Sequence, residues 1–183
     1  MENKKKMTTY QMTTTACFTA VMCVLGPMSI PIGQVPITFT NLVIYLAVFL
    51  LGTKFGTLSY GIYFLLGFVG LPVFSGYSGG PGKILGPTGG YLVGFFLMAI
   101  VCGICVEKFA KNYIMIFIGM IVGTALAYLF GTVWFVIEME CTVAYALTVC
   151  VVPFILGDLI KIVIALVVGQ MVRARLIKAG LIA

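Results

Sequence analysis

Long apolar runs alternate with short stretches bearing Gly, Pro or Lys from one end of the chain to the other. A helix that crosses a bilayer needs about 20 predominantly apolar residues. Runs of that order predict an all-α integral membrane protein with six transmembrane helices in a single transmembrane domain, residues 1–183. The spans fall at about 8–25, 37–51, 55–71, 88–106, 113–137 and 153–172. The second is short. The stretch 141–152 is apolar but too short to cross, and reads either as a helix at the membrane lip or as the start of a longer sixth span. The basic opening Met1–Lys6 has the form of a signal-peptide start. The run behind it ends in Gly26-Pro27 without a small-x-small pattern, so it is read as a retained helix.

Composition sharpens this picture. Of the 183 residues, 62% are hydrophobic and 9% charged, and the mean hydropathy is +1.19. A water-soluble domain carries about 25% charged residues. Charges this sparse exclude an ordinary cytoplasmic enzyme, a disordered chain and a nucleic-acid binder, and make the lipid bilayer the main solvent. The net charge of +6 is a matter of topology. Lys4, Lys5, Lys6, Lys54, Lys108, Lys111, Arg173, Arg175 and Lys178 all fall on one side of a six-span arrangement. The other side holds Lys83, Glu138 and Glu140. The positive-inside rule then puts both termini in the cytoplasm of a multi-pass cell-membrane protein.

The two sets of loops differ. The cytoplasmic ones are short, as in Gly52-Thr53-Lys54. The outer ones, Gly26–Pro36 and Leu71–Tyr91, are long and rich in Gly and Pro. Gly opens backbone conformations closed to other residues and Pro fixes φ, so such loops fold tightly and bring backbone groups near a ligand. Phe74, Tyr77 and Tyr91 suit apolar walls better than a solvated linker.

The candidate chemistry is concentrated in Gly157-Asp158-Leu-Ile-Lys161. Asp158 and Lys161 are an acid and a base inside an apolar run, three residues apart and so on one helix face. An ionisable residue there costs about 2.5–3.5 kcal/mol on insertion scales. The pair therefore faces a ligand in a polar cavity, or is a self-satisfied ion pair that only sets packing. Lys83 is a candidate for a carboxylate at the lip, and Asn41 faces the bundle interior, for a ligand or for interhelical bonding. Gly119, Gly123, Ala127 and Gly131 make a small-residue ladder suited to packing within the monomer. Ala16 and Ala20 make a shorter one, for which a partner protein competes with packing. The six cysteines read as small hydrophobes. The chain has no histidine, no nucleophile–base pair, no metal cluster and no nucleotide-binding domain. This leaves no enzyme, metal or cofactor reading, and any ATP-driven transport needs a partner.

The motifs Gly70-Leu-Pro-Val-Phe-Ser-Gly76, Leu85-Gly-Pro-Thr-Gly-Gly-Tyr-Leu-Val-Gly-Phe95 and Gly157-Asp-Leu-Ile-Lys161 closely resemble those of BioY proteins. These are the biotin-binding substrate (S) components of energy-coupling-factor (ECF) transporters. The likeness extends to Pro36-Ile-Thr38 and Leu51-Gly-Thr-Lys-Phe-Gly56. It implies a six-helix S-component bundle, with biotin held as transported ligand near the outer side, and no other cofactor. It implies ligand roles for Asp158, Lys161 and Tyr91. Ser78 stands where some members have a biotin-bonding Asn, and Leu92 where some have an Arg, so Lys83 is the candidate for the missing charge. Ala16-x-x-x-Ala20 matches the face that docks on a transmembrane T subunit, which acts with two ATPase subunits; some members are thought to work alone. The expected function is biotin uptake. The alternatives are an S component for another vitamin, and a membrane packing protein without transport.

Overall fold

The structure, a computed structural model, describes residues 7–110 and 112–180. Lys4, Lys5, Lys6 and Lys111, which enter the charge count above, lie outside the described residues. Helix α1 spans Thr9–Leu25. Thr8 opens it with a capping box: its Oγ1 accepts from the Gln11 N–H at 3.2 Å, and Gln11 Oε1 accepts from the Thr8 N–H at 3.0 Å. The loop that follows contains a small antiparallel ribbon of β1, Ser29–Ile30, and β2, Ile37–Thr38. The second span therefore does not begin at Ile37 as expected. Pro36 and the β-branched Ile37 and Thr38 favour extended backbone, and helix α2 begins at Thr40.

Helix α2, Thr40–Phe68, is two helical arms folded on each other. Gly52 in its middle has φ 77° and ψ 178°, a combination closed to residues with a side chain. In a straight helix Val48 and Gly56 would stand about 12 Å apart. Here a Cβ placed on Gly56 would lie 2.8 Å from Val48 Cα, so the two arms run back along one another. Glu107 secures the bend: its Oε1 accepts from the Thr53 N–H at 2.7 Å and caps the second arm.

After α2 the chain forms a short helix α3, Pro81–Leu85, within the long loop. Then come α4, Gly89–Lys108, α5, Tyr113–Met139, α6, Val143–Cys150, and α7, Val152–Lys178. The stretch 141–152 thus carries a short helix of its own, Val143–Cys150, directly before α7. Pro153, which cannot donate a backbone N–H, sits in the first turn of α7, where that donor has no partner to lose. Among the described residues, four helical stretches are long and apolar enough to cross a membrane by length and composition: Thr40–Phe68, Gly89–Lys108, Tyr113–Met139 and Val143–Leu176. Helix α1, with 17 residues and five threonines, falls short of that test.

With the fold at Gly52, six long segments run up and down. Helices α4 and α5 meet along the small-residue ladder. A Cβ on Gly94 would lie 2.9 Å from Ala127 Cα, and one on Gly123 would lie 2.7 Å from Cys102 Sγ. Gly119 faces Cys105, and Gly131 faces the Tyr91 ring. Packing within the monomer is therefore the use of this ladder. The main core joins α2, α4 and α5 around Tyr45, Tyr60, Met98 and Met120. A second cluster of Val35, Tyr91, Phe135, Ala146, Cys150 and Phe154 lies at the end that carries the long loops.

Candidate ligand-binding site

At the loop end a cavity, part of it open to solvent, lies between the start of α2, the 69–88 loop, α4, α5 and α7. Small-molecule sites combine apolar walls with a few placed polar groups. The walls here are Val35, Pro36, Tyr63, Phe74, Tyr91, Leu92, Phe95 and Phe154. Tyr63 donates to the Val73 carbonyl at 2.9 Å and Tyr60 to the Leu92 carbonyl at 2.7 Å, which ties the loop and α4 to the second arm of α2. The Tyr91 hydroxyl donates to the Cys150 carbonyl, so Tyr91 presents its ring rather than its oxygen.

The polar floor is made by Asn41, Asp158 and Lys161, which are 4%, 6% and 7% exposed. Lys161 Nζ donates to Asp158 Oδ1 at 2.9 Å, to the Thr38 carbonyl at 2.8 Å and to Asn41 Oδ1 at 3.1 Å. A protonated lysine has three N–H donors, and all three are used. Asp158 Oδ1 also accepts from Asn41 Nδ2 at 2.8 Å, and Oδ2 accepts from the Tyr128 hydroxyl at 2.6 Å. A carboxylate offers about four acceptor positions. Three are filled, so one position on Oδ2 remains, together with the second N–H of Asn41 Nδ2. The Asp–Lys pair is thus satisfied within itself and still borders an open space.

Of the residues singled out in the sequence, Asp158, Lys161, Asn41, Tyr91, Phe74 and Lys83 border one cavity. Lys83, on α3, is half-buried, and burial pushes its amine below the ordinary lysine range. Two others stand apart. Tyr77 is 70% exposed with a left-handed φ of 55°; a tight turn, in which the Phe74 and Ser78 backbones pair, throws its ring outward. Ser78 Oγ turns back on that turn and donates to the Ser75 carbonyl at 2.7 Å. Ala16 and Ala20 are exposed on α1.

Sequence reasoning missed Tyr128. Thr124, Tyr128 and Thr132 recur every four residues beside the small-residue ladder of α5, and a hydroxyl-bearing stripe at that spacing on one helix face is the signal that marks it.

The family model described as "BioY family" matches residues 1–178. A protein of Thermotoga maritima named "Biotin transporter BioY" is 39% identical over 153 residues, covering 83% of this chain and 89% of its own. "Biotin transporter BioY2" of Lactococcus lactis is 33% identical over 175 residues, covering 95% of this chain and 94% of its own. Among solved structures, the S-component for biotin from an ECF-type ABC transporter superposes with a TM-score of 0.85 at 31% identity. It covers 92% of this chain and 95% of that one.

Proposed function

The chain belongs to the BioY family, and from that premise we propose that its loop-end cavity is the place where biotin is held. The protein is a multi-pass membrane transporter component that binds biotin and mediates its uptake; biotin is cargo rather than cofactor, and the protein is not an enzyme. The observation that carries the site assignment is the buried Asp158, which keeps an open acceptor position on the floor of a cavity with mostly apolar walls.

Biotin offers two ureido N–H donors, a carbonyl, an apolar thioether ring and a carboxylate. Asp158 Oδ2 accepts one ureido N–H, and the spare N–H of Asn41 donates to the ureido carbonyl. Lys161, its donors already used, holds Asp158 oriented rather than meeting the ligand with a free N–H. Phe74 and Tyr91 cover the thioether ring and chain, and Lys83 pairs with the carboxylate. Ser78 and Tyr77 shape the 69–88 loop without touching the ligand. The charge bias of the loops supports an extracellular loop end and cytoplasmic termini. A transmembrane T subunit, docking on Ala16 and Ala20, and two ATPase subunits complete the transporter.

Replacing Asp158 by Asn removes a charge-assisted hydrogen bond worth about 1.5–3 kcal/mol. Titration of purified Asp158→Asn protein with biotin is expected to show affinity at least about tenfold weaker. Unchanged affinity takes Asp158 out of the site. Competition by thiamine or riboflavin at biotin-like concentrations points instead to a different vitamin.

A further inference from the structure

Two cavities meet at one hydrogen bond. The first is the loop-end cavity. The second is an almost wholly apolar crevice between α5 and α7, walled by Ile121, Thr124, Ile155, Leu159 and Ile162. Tyr128 and Asp158 border both. Among the described residues, the Tyr128 hydroxyl on Asp158 Oδ2 is the only side-chain hydrogen bond that joins α5 to α7. At 2.6 Å it has the length of a hydroxyl–carboxylate bond.

We infer that Tyr128 is a positioning residue that sets ligand specificity: by filling one of the two acceptor positions on Asp158 Oδ2, it leaves the carboxylate a single position with which to read one ligand N–H. The inference rests on the biotin reading of the cavity and adds to it how the two ureido nitrogens are told apart. Asp158 Oδ1 is filled by Asn41 and Lys161, so the Tyr128 hydroxyl alone decides how many positions Oδ2 can offer. The same bond anchors that oxygen beside the almost wholly apolar crevice, whose Thr124 hydroxyl is engaged by Tyr45 and the Met120 carbonyl. With the hydroxyl gone, Oδ2 has two open positions and one anchor fewer. The carboxylate then meets either ureido nitrogen in more than one pose, and loses affinity and discrimination together.

The experiment uses the intact chain in lipid nanodiscs, with biotin and two analogues competing against labelled biotin. In each analogue one of the two ureido N–H groups is replaced by a ring oxygen. The unsubstituted protein is expected to penalise one analogue much more than the other. Tyr128→Phe, which keeps the ring, is expected to bind biotin about tenfold more weakly and to narrow the gap between the analogues severalfold. Thr124→Ala serves as the structural control. It loses a hydroxyl one turn away that joins Tyr45 and the Met120 carbonyl and does not touch Asp158; its biotin affinity and analogue gap are expected to stay as in the unsubstituted protein.

Tyr128→Phe with undiminished affinity and gap overturns the inference, as does the same change in Thr124→Ala. Equal penalties for the two analogues in the unsubstituted protein overturn it without any variant. Failure of the unsubstituted protein to bind biotin removes the site reading and this inference with it, whereas intact binding with an indifferent Tyr128→Phe removes the inference alone.

Discussion

An ammonium with every donor engaged cannot be exchanged for a neutral group without stranding its partners. Lys161 joins the Thr38 carbonyl, Asn41 and Asp158, and thus ties the start of α2 to α7. Lys161→Met leaves the Asp158 charge buried and uncompensated, a change that costs about 3–5 kcal/mol where a buried pair is broken. Its thermal midpoint is expected to fall clearly, and its biotin binding with it. Asp158→Asn combined with Lys161→Met removes both charges. It is expected to recover much of the midpoint but none of the binding, which separates the ligand role of the acid from the structural role of the pair. Lys83 is tested by pH. Burial lowers its pKa, so the cation that meets a carboxylate is present at low pH and is lost as pH rises through that lowered value. Biotin affinity is expected to decline on the alkaline side earlier than an ordinary lysine predicts. Lys83→Met is expected to bind more weakly at neutral pH and to lose the decline; an unchanged alkaline limb in that variant takes Lys83 out of ligand recognition.

Helices α4 and α5 are held by backbone proximity. Because a Cβ at Gly123 already meets Cys102 Sγ at 2.7 Å, Gly123→Leu must push the helices apart, and overpacking of this kind costs about 1–3 kcal/mol. Gly157 has nothing within 4 Å of its built Cβ and no left-handed φ. Gly157→Ala is therefore expected to be neutral or to raise the thermal midpoint, and the contrast between the two in detergent checks that the ladder is a packing seam. This seam was legible in the sequence because small residues every four positions have a direct helical meaning. So were the apolar runs and the Asp–Lys pair, since charge inside lipid is expensive. The hinge at Gly52 was legible only as a short connection. Its cap comes from Glu107, 54 residues beyond Thr53, and no local pattern records so distant a partner. The ribbon of β1 and β2 and the short α3 were hidden for a related reason: Gly and Pro announce a turn without naming its partners. Tyr77 was drawn toward the ligand by its aromatic ring in the outer loop and Ser78 by the family resemblance, and the turn geometry sends one outward and the other back on itself.

The molecule keeps its cavity and its first helix apart. Helix α1 rests on the second arm of α2 through hydroxyl contacts: Thr19 Oγ1 and Ser59 Oγ are 3.1 Å apart, and Ser59 Oγ donates to the Thr15 carbonyl at 3.2 Å. Those contacts occupy the Thr15–Thr19 face, so Ala16 and Ala20, one position on, turn away from the bundle. No α1 residue borders the cavity. If the exposed alanines seat a T subunit, binding and energised transport separate cleanly. Ala16→Trp with Ala20→Trp places two large rings where close helix approach needs small side chains. This double variant is expected to bind biotin like the unsubstituted chain in a detergent titration. In proteoliposomes that carry the T and ATPase subunits, ATP-driven biotin uptake is expected to be abolished, and the T subunit is expected to stay behind when the variant is pulled down. Undiminished uptake with the partners present moves the docking face off α1. Lost binding in detergent shows instead that α1 supports the cavity through α2.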